Sequence, residues 1–237
     1  MNIPDLGMNM RSVMVLTPAY GGMVAAGFHR SLLTSTIELL AEGIALESEI
    51  LENQSLLPLA RNTLLNEAYK RKPDDIIWID NDMVWEPDAI RQLLKHDVDV
   101  VGSACRKKIP DNVQFNFQLF KDKPYEPNDK GLIEVRRLGT GFLRMSRRAY
   151  TTLWENEKKY EIQGVVGSNV FEIGIWQGRE LLSEDFIVCE KLVNHGIKIF
   201  IDPTLTVGHI GTFNYWADVD KFFKHLKENP VSEQQKS

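Results

Sequence analysis

The stretch Ile76-Ile77-Trp78-Ile79-Asp80-Asn81-Asp82-Met83-Val84-Trp85 runs four apolar residues into two aspartates one residue apart, then turns apolar again. A short apolar run closed by charge predicts a buried strand whose carboxyl end carries the charges. Two like charges there repel each other, and a divalent cation between them is the usual remedy. In an extended segment alternate side chains point the same way, so Asp80 and Asp82 would face one hard cation together. The plain alternative is a strand-end turn, where Asp and Asn are common.

Working outward, the same punctuation recurs. Upstream, the apolar run of SVMVLTPAYGG (12–22) halts at Thr17, Pro18, Tyr20, Gly21 and Gly22, and predicts a first buried strand ending in a tight loop. FHRSLLTSTIELLAEG (28–43) places Leu32, Leu33, Ile37 and Leu40 at helical spacing and stops at Gly43. IALESEIL (44–51) alternates like a strand, and LPLARNTLLNEAYKRK (57–72) reads as a helix stopped by Pro73. Downstream of the aspartates come a helix over 86–96 and a strand over 97–105. This alternation predicts an α/β fold with a mostly parallel sheet flanked by helices, and ligands in such sheets bind beyond the carboxyl ends of the strands.

From about residue 110 the pattern shifts to strand-like pieces, 113–120, 132–138 and 141–146, expected to add antiparallel strands. A helix over 147–159, a glycine-rich loop region, a capped helix over 183–196, a strand at 198–202 and an aromatic tail from 212 follow. The last residues, 231–237, are expected to fray.

At 237 residues, 43% hydrophobic and 26% charged, the chain has the composition of a folded globular protein and fits one large domain spanning 1–237. Neither a leader-type apolar segment nor a run long enough to span a bilayer is present in the sequence, so a cytoplasmic protein is expected. Cys105 and Cys189 lie in apolar contexts and are expected to be buried free thiols. The net charge of −5 is uneven: residues 106–148 hold 11 Lys+Arg against 5 Asp+Glu, which leaves 17 against 28 elsewhere. That basic segment points to an anionic ligand or acceptor, or else to a solvated face whose charges scatter in space.

Asp-x-Asp occurs three times, at Asp80/Asp82, Asp97/Asp99 and Asp218/Asp220. The second falls between a predicted helix and strand at the sheet's amino end, and the third starts a helix, where carboxylates cap. Only the first closes a strongly apolar strand. Other residues have chemistry in reach: Arg61 can grip phosphate through its fork or can be a solvated helical arginine, His209 can be a metal ligand or a core histidine, and Glu184 and Asp185 can cap a helix or supply a general base.

VLTPAY (15–20), LARN (59–62), the Asp80–Asp82 triplet, LGTGFLRMSRRAY (138–150) and the stretch from Ser183 to Gly211 occur in the order seen in GT-A fold glycosyltransferases, and over residues 12–212 the chain resembles that family, including the compact members carried by bacteriophages and large viruses. The resemblance implies a GT-A, Rossmann-like fold with a nucleotide-binding half at about 12–105, an acceptor-side half at about 106–212 and a C-terminal helix and tail at 213–237. It also implies a nucleotide-diphosphate sugar donor, UDP-linked by preference, bound by Thr17, Pro18, Ala19, Tyr20, Arg61, Asp80 and Asn81. Mn²⁺ or Mg²⁺ would be held by Asp80, Asp82 and His209, the mixed shell suiting Mn²⁺. Asp185 would be the base of an inverting transfer, with Glu184 positioning. The acceptor would be a glycan, a protein or a modified DNA base, and Phe213, Tyr215, Trp216 and above all Trp176 are stacking candidates. Two other readings remain: a nucleotidyltransferase, against which TPAYGG (17–22) lacks the basic residues expected, and a non-catalytic binding module for nucleotide-sugars or polyanions.

Overall fold

The computed structural model describes residues 10–228 apart from 111, 124 and 212, so the expected fraying of 231–237 lies outside the described residues. The chain opens with β1 (Arg11–Ala19), α1 (Ala26–Ala41), β2 (Ile44–Glu52), α2 (Leu57–Arg71) and β3 (Asp75–Ile79), as the alternation predicts. Gly43 follows α1 with φ of +77°, a backbone state that glycine takes without strain, whereas Lys72 adopts φ of 54° just ahead of Pro73 to end α2. Along β1 the pleat sorts side chains by face. Val13 and Val15 pack against Phe28 and Leu39 of α1, while Met14 and Leu16 pack against Leu64, Leu65 and Ala68 of α2. Each such buried side chain contributes about 1.5–3 kcal/mol of transfer free energy, and the two faces together hold the first three strands in place.

The chain continues through β4 (Met83–Trp85), α3 (Ala89–Lys95), β5 (Val100–Gly102), β6 (Phe117–Gln118), β7 (Ile133–Val135), β8 (Arg137–Leu138) and β9 (Phe142–Ser146). Then come α4 (Arg147–Asn156), β10 (Lys159–Ile162), β11 (Val165–Ser168), β12 (Gly174–Trp176), β13 (Glu180–Leu182), α5 (Glu184–Asn194), β14 (Ile199–Ile201), β15 (Val207–Ile210), β16 (Asn214–Tyr215) and α6 (Val219–Glu228). The central sheet has seven strands in the order β2-β1-β3-β9-β5-β14-β7. It is largely parallel, with β9 and β7 reversed.

Three features differ from expectation. The antiparallel strand β9 does not extend an edge but enters the middle of the sheet between β3 and β5, where a Cβ on Gly102 would come within 2.5 Å of the Phe142 carbonyl oxygen. The piece 113–120 pairs only through the two residues of β6 and a single bridge from Phe115 to Arg106. The region expected as a glycine-rich loop instead folds into two antiparallel hairpins, β10-β11 and β12-β13, each turning at a Gln-Gly pair, Gln163-Gly164 and Gln177-Gly178, with positive φ at both residues. The apolar Met83–Trp85 segment after the aspartates is itself a strand, in the small sheet β16-β15-β4.

Both cysteines are free and buried, with their thiols pushed up by burial and nearby carboxylates. The other two Asp-x-Asp triplets behave structurally: Asp99 accepts from Ser146 Oγ at 2.6 Å, and Asp218 caps α6 by accepting from the Lys221 N–H at 2.9 Å. Two arginines of the basic segment are turned inward. Arg137, fully buried, donates to Glu190 at 2.6 Å and to Glu180 at 2.6 and 2.9 Å, and Arg144 pairs with Asp75 at 2.6 Å. Truncating one partner of a buried ion pair strands the other charge, so Arg137→Ala should cost on the order of 3–5 kcal/mol in urea-unfolding free energy. A loss below about 1 kcal/mol would mean that Glu190 is solvated without it.

Candidate active site

The carboxyl end of β3 places Asp80, whose N–H donates to the Gly141 carbonyl of β9's approach at 3.1 Å. The chain then turns, the Met83 N–H closing onto the Asp80 carbonyl at 3.1 Å. The expectation that Asp80 and Asp82 lie on one extended segment is therefore corrected, because a tight turn separates them and each carboxylate has a different partner. Asp80 Oδ1 accepts from Arg61 Nη2 at 2.9 Å. Asp82 pairs through Oδ2 with Lys108 Nζ, and its Oδ1 lies 3.3 Å from His209 Nε2.

His209 reaches this point because β15 pairs antiparallel with β4, setting His209 opposite Met83, with the Ile210 N–H donating to the Asp82 carbonyl at 2.7 Å. Its Nδ1 donates to the Arg106 carbonyl at 2.9 Å, which leaves Nε2 facing Asp82. Burial opposes the imidazolium, yet Asp82 and the Arg106 carbonyl outweigh it and His209 titrates above its ordinary value. Burial would likewise raise Asp82, but His209 and Lys108 hold it below the usual carboxylate range. Asp80, Asp82 and His209 all border one cleft. Even so, among the described residues no group of three His, Cys, Asp or Glu side chains is arranged to hold a metal ion.

Arg61, on the first turns of α2, is only 3% exposed. Its Nε lies 3.6 Å from Glu184 Oε1, and its guanidinium lies 5.5 and 5.9 Å from the ring centroids of Trp78 and Phe171, which themselves meet edge to face at 5.0 Å. The expected phosphate-gripping arginine is thus a buried bridge between two carboxylates, with its Nε and Nη1 free of hydrogen-bond partners. Glu184, at the first turn of α5, titrates above the ordinary glutamate value through burial and the neighbouring Asp185, with Arg61 opposing. The expected cap at Ser183 is replaced: its hydroxyl makes no cap hydrogen bond and donates to Asp185 instead. Asp185 also accepts from Asn116 Nδ2 at 2.9 Å, so two donors aim its carboxylate.

Around these groups lie two adjoining clefts. One, of about 340 Å³, is bordered by Pro18, Tyr20, Gln54, Leu57 and the Asp80–Asp82 turn; the other, of about 420 Å³, by Cys105, Lys107, Lys108, Asn116 and Asp185. Asp80 and His209 border both. Of the expected first-loop residues, Pro18 and Tyr20 line the first cleft, whereas Thr17 and Ala19 are buried in β1 and do not. Asn81 also borders it while bracing the loop after β1, donating to the Met23 carbonyl at 2.8 Å and accepting from the Ala25 N–H at 2.9 Å. None of the four stacking candidates borders either cleft: Tyr215 is buried under Arg106, Trp216 lies over Gly208, Phe213 is exposed and Trp176 stands on the β12-β13 hairpin.

Asn116 and Phe171 were not marked by any motif, but Gly139-Thr140-Gly141 carries an indirect signal. A Cβ at Gly139 would meet Asn116 Nδ2 at 2.2 Å, and one at Gly141 would crowd Asp80 Oδ2 and Cys105 Sγ at 3.2 Å. The two glycines clear the space in which both carboxylates are held.

No family model and no curated protein matches the chain. Among solved structures, A197 from STIV superposes with a TM-score of 0.53 at 18% identity, over 89% of this chain and 91% of that one. The inositol-1-phosphate CTP transferase from T. maritima gives 0.45 at 14% identity, covering 94% and 98%. A Drosophila β-1,4-galactosyltransferase 7 in complex with manganese, UDP-Gal and xylobiose gives 0.39 at 13%, covering 95% and 78%. At such identities the likeness is one of fold.

The position of Glu184 makes a signed prediction. Its folded-state carboxyl holds a proton more tightly than that of the unfolded chain, so the cost of its charge is fully present above the folded pKa and fades as pH falls to the ordinary 4.5. Glu184→Gln lacks that cost, so urea midpoints of the variant relative to wild type should improve as pH is raised from about 4 to 7. The opposite slope would show that Arg61 outweighs burial.

Proposed function

We propose that the protein transfers a sugar from a nucleotide-diphosphate donor, UDP-linked by preference, to an acceptor hydroxyl with inversion at the anomeric carbon. The observation that carries this is the pair of clefts meeting at Asp80 and His209, one walled by Pro18, Tyr20 and the Asp80–Asp82 turn and the other presenting Asp185 and two lysines. A nucleotide in the first cleft has its diphosphate at the Asp80–Asp82 turn, and an acceptor in the second has its hydroxyl beside Asp185. An anionic acceptor suits Lys107 and Lys108.

In this reading Asp185, aimed by Asn116 and Ser183, takes the hydroxyl proton as the acceptor oxygen bonds to the anomeric carbon. The bond from that carbon to the diphosphate breaks, and the diphosphate leaves with the electron pair. Arg61 and Glu184 keep Asp80 and the start of α5 in register. Asp82 Oδ1 and His209 Nε2 lie 3.3 Å apart, an oxygen and a nitrogen of the kind that ligate a divalent cation. They would hold Mn²⁺ or Mg²⁺ near Asp80, where such an ion supplies charge against the leaving diphosphate.

A thermal-shift screen of nucleotide-sugars with Mn²⁺ tests the reading, because a ligand that binds only the folded state stabilises it by about 2.7 kcal/mol at a hundred times its Kd. UDP-sugars should raise the midpoint by several degrees, and Asp185→Asn should keep that shift while lowering transfer by roughly 10²–10⁴-fold. A screen in which no nucleotide moves the midpoint refutes the proposal.

A further inference from the structure

Lys108 enters the site from a loop that the sequence marks only as basic. The loop is tied down by the Arg106–Phe115 bridge, by the Lys107 N–H on the Gln114 carbonyl at 2.7 Å, and by the Arg106 guanidinium on the carbonyls of Ile109, Pro110 and Trp216 at 3.1–3.3 Å. The Lys108 stem crosses Gly211, where an added Cβ would stand 3.1 Å from its Cδ, and its ammonium ends on Asp82 with about a third of the side chain still exposed. Two groups able to carry positive charge, Lys108 and His209, therefore share one carboxylate at the junction of the two clefts.

An exposed ion pair adds little to stability, so a lysine steered so firmly onto a cleft carboxylate calls for another role. An ammonium and a divalent cation cannot both sit close to Asp82, because they repel each other. A diphosphate arriving at the same point would attract both. We infer that Lys108 is the resident counter-ion of Asp82 and, when donor binds, the ammonium that turns onto its phosphates. Resting on the donor reading above, this makes the carboxylate available to a divalent cation only as the diphosphate draws Lys108 away. The flexible four-carbon stem and the open face of the side chain permit the swing. Binding of cation and nucleotide becomes mutually dependent, each favouring the arrangement the other needs.

Titration calorimetry of wild type, Lys108→Gln and Lys108→Arg with MnCl₂ alone, and with UDP in saturating Mn²⁺, tests the inference. Removing the ammonium should tighten binding of Mn²⁺ alone about tenfold and weaken UDP about tenfold, the scale of one charge-assisted contact. Lys108→Arg, which keeps the charge, should stay nearer wild type in both. Lys108→Ala serves as a second neutral variant, with circular dichroism checking the fold of each. Neutral variants that bind both probes within twofold of wild type overturn the inference while leaving the donor reading intact. Failure of the wild type to bind UDP under any condition overturns both.

Discussion

A guanidinium that is nearly sealed from water must find its counter-charges inside the protein, since arginine cannot shed its proton. Arg61 finds them in Asp80 and Glu184, and in doing so joins α2 to the end of β3 and to the start of α5. The rings of Trp78 and Phe171, packed edge to face, both lie against it, one from the central sheet and the other from the segment ahead of the β12-β13 hairpin. The arrangement of the site follows from this commitment. With Asp80 bound to Arg61, Asp82 is left to Lys108 and His209, and Asp185 is left to Asn116 and Ser183. Of the four carboxylates at this end of the sheet, Asp82 and Asp185 each have two partners of their own, while Asp80 and Glu184 share Arg61, and burial and Asp185 raise the Glu184 carboxyl.

The basic segment between Arg106 and Arg148 shows how net charge in sequence differs from charge in space. Arg136 and Arg137 are taken up by Glu190, Arg144 by Asp75, Arg147 by Asp74, Arg148 by Asp99 and Lys123 by Glu134. The basic residues that reach the cleft bordered by Asp185 are Arg106, Lys107 and Lys108, and Arg106 spends its guanidinium on loop carbonyls and the face of Tyr215. A polyanion would therefore meet a narrow basic lip and not a broad charged face.

Much of the fold was legible because its signals are local. Apolar runs of β1 and β3 and the stops at Gly43 and Pro73 each depend on near neighbours alone, whereas the spacing of Leu32, Leu33, Ile37 and Leu40 located α1 but not its buried face, which is Phe28, Ser31, Ser35 and Leu39, with Leu33, Ile37 and Leu40 exposed. The hairpins within 160–182 were not, since Gln-Gly turns lack the Asn-Gly or Asp-Gly mark and their strands are short and exposed. Nor was the entry of β9 into the middle of the sheet, which rests on space at Gly102 and on pairing with strands distant in the chain. At the site, residue types were readable as acids, a base and an arginine, while Asn116, Phe171 and Lys108 carried no motif.

The amino-acid sequence on its own dictated the layers and the end of the sheet where Asp80 and Asp82 stand, because periodicity and turn residues act within a few positions of themselves. It also dictated which side chains could carry charge there. Which charge met which was settled by folding. Asn116 and Asp185 lie 69 residues apart, Lys108 and Asp82 lie 26 apart, and Arg61 joins carboxylates from two different elements. A carboxylate takes whichever donor the packed elements bring within 3 Å or so, and that proximity exists only once helices and sheet have closed on one another.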